Sequence, residues 1–275
     1  MGYAISDDNA SVIDCRSKRV WAQTVKQRMR GVSHADLIDT TDGLYITKWK
    51  QNPVHRRVLM NSLIGAELLR RNDIAVPEWA FVVADAEFCR RSGSDRPLLR
   101  AGVHFGLRRP GPCTTPVYDV LPRALSRRVI NQADFVRAMV FDCWVDNAKP
   151  RQAVFTGSSA GFYGQMIGNG HILGFRNGSW SFDAQPGVRI PLPLATCVYL
   201  ENSAAECIEN TIVHIQNSAH SSLEMISRVI PEDWLEADCA EITCVFEHLL
   251  RRATALPELI RTALADFRQS ESRGS

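Results

Sequence analysis

A strand-rich front joined to a helix-rich back predicts an α+β chain folded as two lobes. Three patterns carry that reading: short apolar runs around a Gly turn before residue 50, an apolar series at helical spacing from Val54 to Arg71, and a tail from Ala204 to Arg268 that is helical almost throughout. The 275 residues are 45% hydrophobic, enough to fill an ordinary core. We divide them into an extension (1–16), an N-lobe (17–125), a helical C-lobe (126–268) and a polar tail (269–275).

In order, Val20 to Val25 alternates as a strand, and Ala35 to Ile38 and Leu44 to Trp49 flank a Thr41-Asp42-Gly43 turn, giving a hairpin preceded by one more strand. Val58, Leu59, Leu63, Ile64, Ala66, Leu68 and Leu69 recur at helical spacing, so an amphipathic helix is expected, stopping before Pro77. Ile74 to Ala84 is apolar and reads as a strand with Pro77 near its start. Arg90 to Arg100 and Arg108 to Thr115 carry loop composition. Gln132 to Val145 predicts a second inward-facing helix, and Ala153 to Phe155 and Tyr163 to Ile167 predict two short strands across a Gly/Ser turn. In the tail, Pro231 and Pro257 are expected to mark helix boundaries.

Composition excludes more than it assigns. Thirty-two Lys and Arg against 30 Asp and Glu leave a formal charge of +2, too little to draw nucleic acid or anionic lipid. Eight cysteines form no C-x-x-C pair and none has a His at zinc-finger spacing, which argues against metal sites and disulfides. Met1 to Ala10 lacks a signal peptide's basic start and apolar run, and no stretch of ~18 apolar residues occurs. A reducing, cytoplasmic compartment is the expectation.

Four features in sequence bear on chemistry. Arg30-Gly31-Val32-Ser33-His34 is a Gly/Ser turn able to aim backbone N–H groups and a hydroxyl at phosphate oxygens, or simply a turn. Lys48 sits within Tyr45-Ile46-Thr47-Lys48-Trp49. Facing inward it needs an anion, whereas on a solvated strand face it needs none. The loop from Asn147 to Gln152 follows a helix and offers polar groups, and Met166-Ile167-Gly168-Asn169-Gly170-His171 ends a strand in a Gly-bracketed turn, as a strand bearing a metal ligand would, or as a plain hairpin turn. His104 reads as a packed strand residue and His171 as a turn residue.

That running order of Gly/Ser turn, strand lysine, long helix, second helix, polar loop, short strand and turn is the order of a protein-kinase-like phosphotransferase. Over roughly residues 20 to 260 the chain resembles the HipA-like kinases, in the branch of stand-alone bacterial proteins. The strings Met29 to His34, Tyr45 to Lys48, Asn52 to Arg57, Val76-Pro77-Glu78, Gly102 to Gly106 and Arg151 to Phe155 carry the likeness. The resemblance implies a two-lobed kinase-like fold. It also implies ATP as nucleotide, phosphate contacts from Gly31, Ser33 and Lys48, and a catalytic loop holding Asn147, Arg151 and Gln152.

Three departures from the family pattern then count. Ser62 stands where relatives carry the helix Glu that pairs with the strand lysine, and Glu67 is too far along the helix to replace it. Lys149 stands where relatives carry the catalytic Asp, and an ammonium cannot accept a proton at neutral pH without a large pKa depression. Gly168 stands where relatives carry the Asp that holds magnesium, so magnesium binding is not expected. Phosphoryl transfer depends on charge neutralisation and positioning, and loss of all three groups points to a pseudokinase that holds nucleotide or a protein partner. Lys149 is either a fixed counter-ion for phosphate or a drifted surface residue. The alternatives are an active serine/threonine kinase using displaced Asp142, Asp146 or Asp183, and an interaction module whose tail (Trp234, Leu235, Val245, Phe246, Leu249, Leu250) serves a partner chain.

Overall fold

The structure is a computed structural model describing residues 18–29, 34–52, 54–92, 99–147, 149, 151–182, 204–235 and 239–273. Five strands close the N-terminal part into a small barrel: β1 (Arg19–Arg28), β2 (Asp36–Thr40), β3 (Gly43–Lys48), β4 (Trp79–Ala84) and β5 (Gly102–Arg108), in the spatial order β1-β2-β3-β5-β4. Closure comes from β1 running parallel to β4, with Val20 opposite Val82, while the other pairs are antiparallel. Alternation on β3 explains its placement. Tyr45 and Thr47 are fully buried and Trp49 follows on the same side, which leaves Lys48 on the opposite face. Trp49 Nε1 donates to Asp36 Oδ2 at 2.6 Å, satisfying a buried indole.

Helix α1 (Arg57–Arg71) crosses this barrel and differs from its sequence pattern. Amphipathicity was the expectation, yet every residue from Arg57 to Leu69 is buried. The polar positions that suggested a wet face are satisfied internally. Asn61 donates to Gly170 O (3.1 Å) and Ile172 O (3.3 Å) and accepts from Trp180 Nε1 (2.9 Å), while Glu67 accepts from Arg70, Arg71 and Trp79. The strand predicted from Ile74 begins only at Trp79. Arg90 to Ser92, expected as loop, close a short helix α2 (Ala86–Ser92) whose start is held by Phe88 N donating to Asp85 Oδ1.

Further along, β6 (Val117–Tyr118), β7 (Gln152–Ser158) and β8 (Gly161–Ile167) make an antiparallel sheet over α4 (Gln132–Trp144), with a single turn α3 (Arg123–Ser126) between β6 and α4. A 3-10 turn (Asn169–His171) leads into a small hairpin of β9 (Phe175–Arg176) and β10 (Ser179–Trp180). The back of the molecule is helical: α5 (Ala204–Ser227), α6 (Glu232–Leu235) and α7 (Cys239–Arg273). This is the α+β arrangement expected, strand-rich in front and helical behind. Trp234, Val245 and Leu249 are buried in the main core, which is ordinary packing for the tail residues considered for a partner.

Pro231 precedes α6 as expected, but Pro257 lies inside α7 and does not end it. Proline removes the N–H that would bond to Ala253 O four residues back, and Gln216 Nε2 of α5 donates to that carbonyl instead at 3.1 Å. A second long-range cap closes α4. Arg252, 4% exposed, donates through Nε to Trp144 O at 2.6 Å and through Nη2 to Cys143 O, setting a cation at the helix's negative end. That cap fixes the start of the loop from Asp146. Among the described residues no helix is long and apolar enough to cross a membrane.

Candidate functional site

The front barrel and the 3-10 turn meet at Lys48. Its stem is partly exposed, but its ammonium is enclosed and donates to Ser62 Oγ at 2.9 Å, and that hydroxyl in turn donates to Val58 O at 2.6 Å. The other wall is the turn's backbone, since a Cβ added to Gly170 would come within 3.5 Å of Lys48 Nζ. Of the two sequence readings, an inward lysine and a solvated one, the structure has the inward one. No carboxylate meets the ammonium among the described residues, and burial alone pushes its pKa down to about 8. Glu67 is more than one turn further along α1 from Ser62 and is engaged by Arg70, Arg71 and Trp79.

The second group of predicted residues is drawn together at the end of α4. Asp142 and Arg151 form an enclosed ion pair: Arg151 Nε donates to Asp142 Oδ2 at 3.0 Å, and a second bond runs from Nη2 to Oδ1. Arg151 Nη1 also donates to Ile167 O at 3.1 Å and to Asn169 Oδ1. The guanidinium therefore ties β7, β8 and the 3-10 turn to α4. Its side chain is 2% exposed, and it holds the loop from behind. Asn147 Nδ2 donates to Asp142 Oδ1 at 3.1 Å, and its Oδ1 accepts from Lys149 N at 3.2 Å, bending the loop so that Lys149 points outward.

Asp146 does not share a helix face with Asp142. The helix ends at Trp144, and Asp146 takes a left-handed φ of 47°, with its carbonyl accepting from Gly174 N at 3.3 Å. Gly168 also has a positive φ, 85°, and a Cβ there would lie 2.9 Å from Gln152 Oε1. The position expected to carry a metal-binding acid thus has a backbone that disfavours any side chain. Gln152 is exposed beside it. Gly31 and Ser33, predicted phosphate contacts, and Asp183, a predicted rescue acid, lie outside the described residues.

A cleft of about 470 Å³ opens between this loop and the β9–β10 hairpin. Asp146, Asn147, Lys149, His171, Arg176 and Asn177 supply its polar lining. His171, read from sequence as a turn residue, faces this cleft, and neither ring nitrogen has a hydrogen-bond partner among the described residues. Burial first, then Lys149 and Lys48, hold its pKa below the usual histidine value, so the ring is neutral at pH 7. Among the described residues its one ring contact is with Phe175, centroids 6.0 Å apart. Arg176 and Asn177 escaped sequence analysis because Phe175-Arg176-Asn177-Gly178 reads as any polar turn; the one signal was the Asn-Gly pair. His104 is structural: Nε2 meets Arg100 O at 2.9 Å and Nδ1 accepts from Lys50 N at 3.0 Å, with burial pushing its pKa down to about 4.

Magnesium does not fit these residues. Asp142 is consumed by Arg151, Asp146 is the one carboxylate lining the cleft among the described residues, and no group of three metal-ligating side chains occurs among them.

No protein-family model matches the chain, and no curated protein is similar to it at a significant level. Among solved structures, the crystal structure of a Helicobacter pylori proinflammatory kinase, CtkA, superposes with a TM-score of 0.46 at 10% identity, covering 86% of this chain and 96% of that chain.

Proposed function

We propose that the chain is a degenerate kinase-like protein of the HipA type that holds a nucleotide, or a protein partner dependent on that site, without efficient phosphoryl transfer. The observation that carries this reading is Lys48. An enclosed ammonium at the junction of barrel, helix and turn meets, among the described residues, a hydroxyl where a kinase needs a carboxylate. Such a cation is costly in the empty protein and is relieved by an anion, which makes phosphate the natural occupant. Lys149 and Arg176 at the cleft add positive charge, and Asn147 lines it from the loop.

Transfer is the part that fails. A base must lie within hydrogen-bond reach of the hydroxyl it activates, and the loop offers Lys149 there. Charge on the migrating phosphoryl group must be neutralised by metal held on acids, and Gly168 offers none. An active serine/threonine kinase remains the second reading on one observation, that Asp146 lines the cleft and forms no salt bridge among the described residues. Thermal unfolding of the full chain with ADP or ATP, in EDTA and in magnesium, tests the first reading. Stabilisation in EDTA supports a metal-independent nucleotide site, and no response to any nucleotide removes nucleotide from the proposal.

A further inference from the structure

Resting on that anion-binding reading, we propose that the cleft takes up a proton together with its phosphate: His171, which lines it with Lys149 and Arg176, becomes the third cation over a metal-free phosphate group.

The geometry is the starting point. His171 lines the cleft with Lys149 and Arg176, and Lys48 Nζ approaches the backbone of the adjoining Gly170. The imidazole is therefore under the influence of ammonium groups from two different elements, β3 and the loop after α4. Its own nitrogens are unpartnered among the described residues, whereas the histidine at position 104 has both nitrogens bonded. An unbonded imidazole at a cleft wall is free to donate to a ligand oxygen once protonated.

Every charged group around it bears on the sign. From the loop come Lys149 and Asp146, and from β9 comes Arg176. On the α1 side, His55 packs on the same Phe175 ring and Arg57 is paired with Glu241 at 2.8 Å. Behind the turn, Asp142 and Arg151 neutralise each other. After burial, the influences on the ring are Lys149 and Lys48, and no acid acts on it strongly enough to offset them. A phosphate dianion placed among these groups reverses the balance: the ring now faces an anion, and protonation becomes favourable. The step is one proton drawn from solvent onto a ring nitrogen as the anion binds, with no covalent bond made or broken. By linkage, affinity then rises as pH falls, with a ceiling of tenfold per pH unit for one proton. This is what a resident divalent ion supplies in other phosphate sites, positive charge held against the anion, here obtained without acidic ligands.

The test is calorimetric titration of the full chain with ADP in EDTA between pH 6 and 8.5, in buffers of different ionisation enthalpy, alongside His171→Gln. The ligand's own phosphate proton, which titrates near pH 6, is common to both proteins, so their difference isolates the ring. The expected result is proton uptake approaching one per ADP near pH 7 in the native chain and its loss in His171→Gln. Equal uptake and equal pH slopes in the two proteins overturn the inference while leaving the anion site standing. Absence of metal-free ADP binding at every pH overturns both. Should His171→Gln fold poorly, the imidazole C–H resonances of the native chain give the answer directly: a His171 titration midpoint that moves upward on adding ADP supports the proposal, and an unmoved one contradicts it.

Discussion

Replacing Lys48 with Met should stabilise the ligand-free protein. The ammonium's pKa falls from 10.5 to about 8 on folding because the group is desolvated, and among the described residues it is met by Ser62 Oγ. At 1.36 kcal/mol per unit, that shift corresponds to about 3 kcal/mol of destabilisation while the group is charged in both states. The folded pKa is the lower one, so the penalty is fully present below pH 8 and is relieved as pH rises from 8 to 10.5. Methionine keeps the reach of the lysine stem without the charge, and Ser62 keeps its bond to Val58 O. Lys48→Met should therefore raise the melting temperature by roughly 5–10 °C at pH 7, with the advantage shrinking toward pH 10. Calorimetric or dichroic melting of both proteins at pH 7, 8, 9 and 10 reads this. A variant that is less stable at pH 7, or a difference that does not change with pH, would refute the reasoning, because it would mean that the ammonium is paired with an acid or hydrated.

Other perturbations follow from the same geometry. Arg151→Met strands the Asp142 carboxylate and should cost about 3–5 kcal/mol in denaturant unfolding, with Asp142→Asn in the same chain recovering part of it. Gly168→Asp forces a side chain onto a φ of 85° against Gln152, and should cost about 1–3 kcal/mol without restoring label transfer from ATP. Gln216→Ala leaves Ala253 O without its donor and should cost about 1 kcal/mol; in a Pro257→Ala background the cost should fall, which a double-mutant cycle of unfolding free energies measures.

How far the sequence revealed these features depended on whether the deciding contact was local. The β2–β3 hairpin, α4 and the β7–β8 pair follow from period and turn chemistry, and the structure has them within a few residues. Helix α1 reads as amphipathic from its apolar spacing, whereas what buries its remaining face comes from distant chain: Asn61 meets Trp180, 119 residues away. Pro257 was misread for the same reason: the donor that rescues its helix comes from α5. Within the site, Lys48 and the loop from Asn147 stand out by residue type and order, and Ser62, Lys149 and Gly168 as departures from the family pattern that the chain resembles. The burial of Arg151 against Asp142 and the cleft-facing position of His171 depend on how α4 and the 3-10 turn pack, which no short window encodes.

The most direct measurement is incubation of the full chain with γ-labelled ATP and magnesium, with Lys48→Ala as control and a generic serine- and threonine-rich protein as acceptor. Incorporation indistinguishable between the two chains is the predicted result. Label that appears in the native reaction and vanishes with Lys48→Ala would contradict the assignment, and would direct attention to Asp146 as the acid that performs the chemistry.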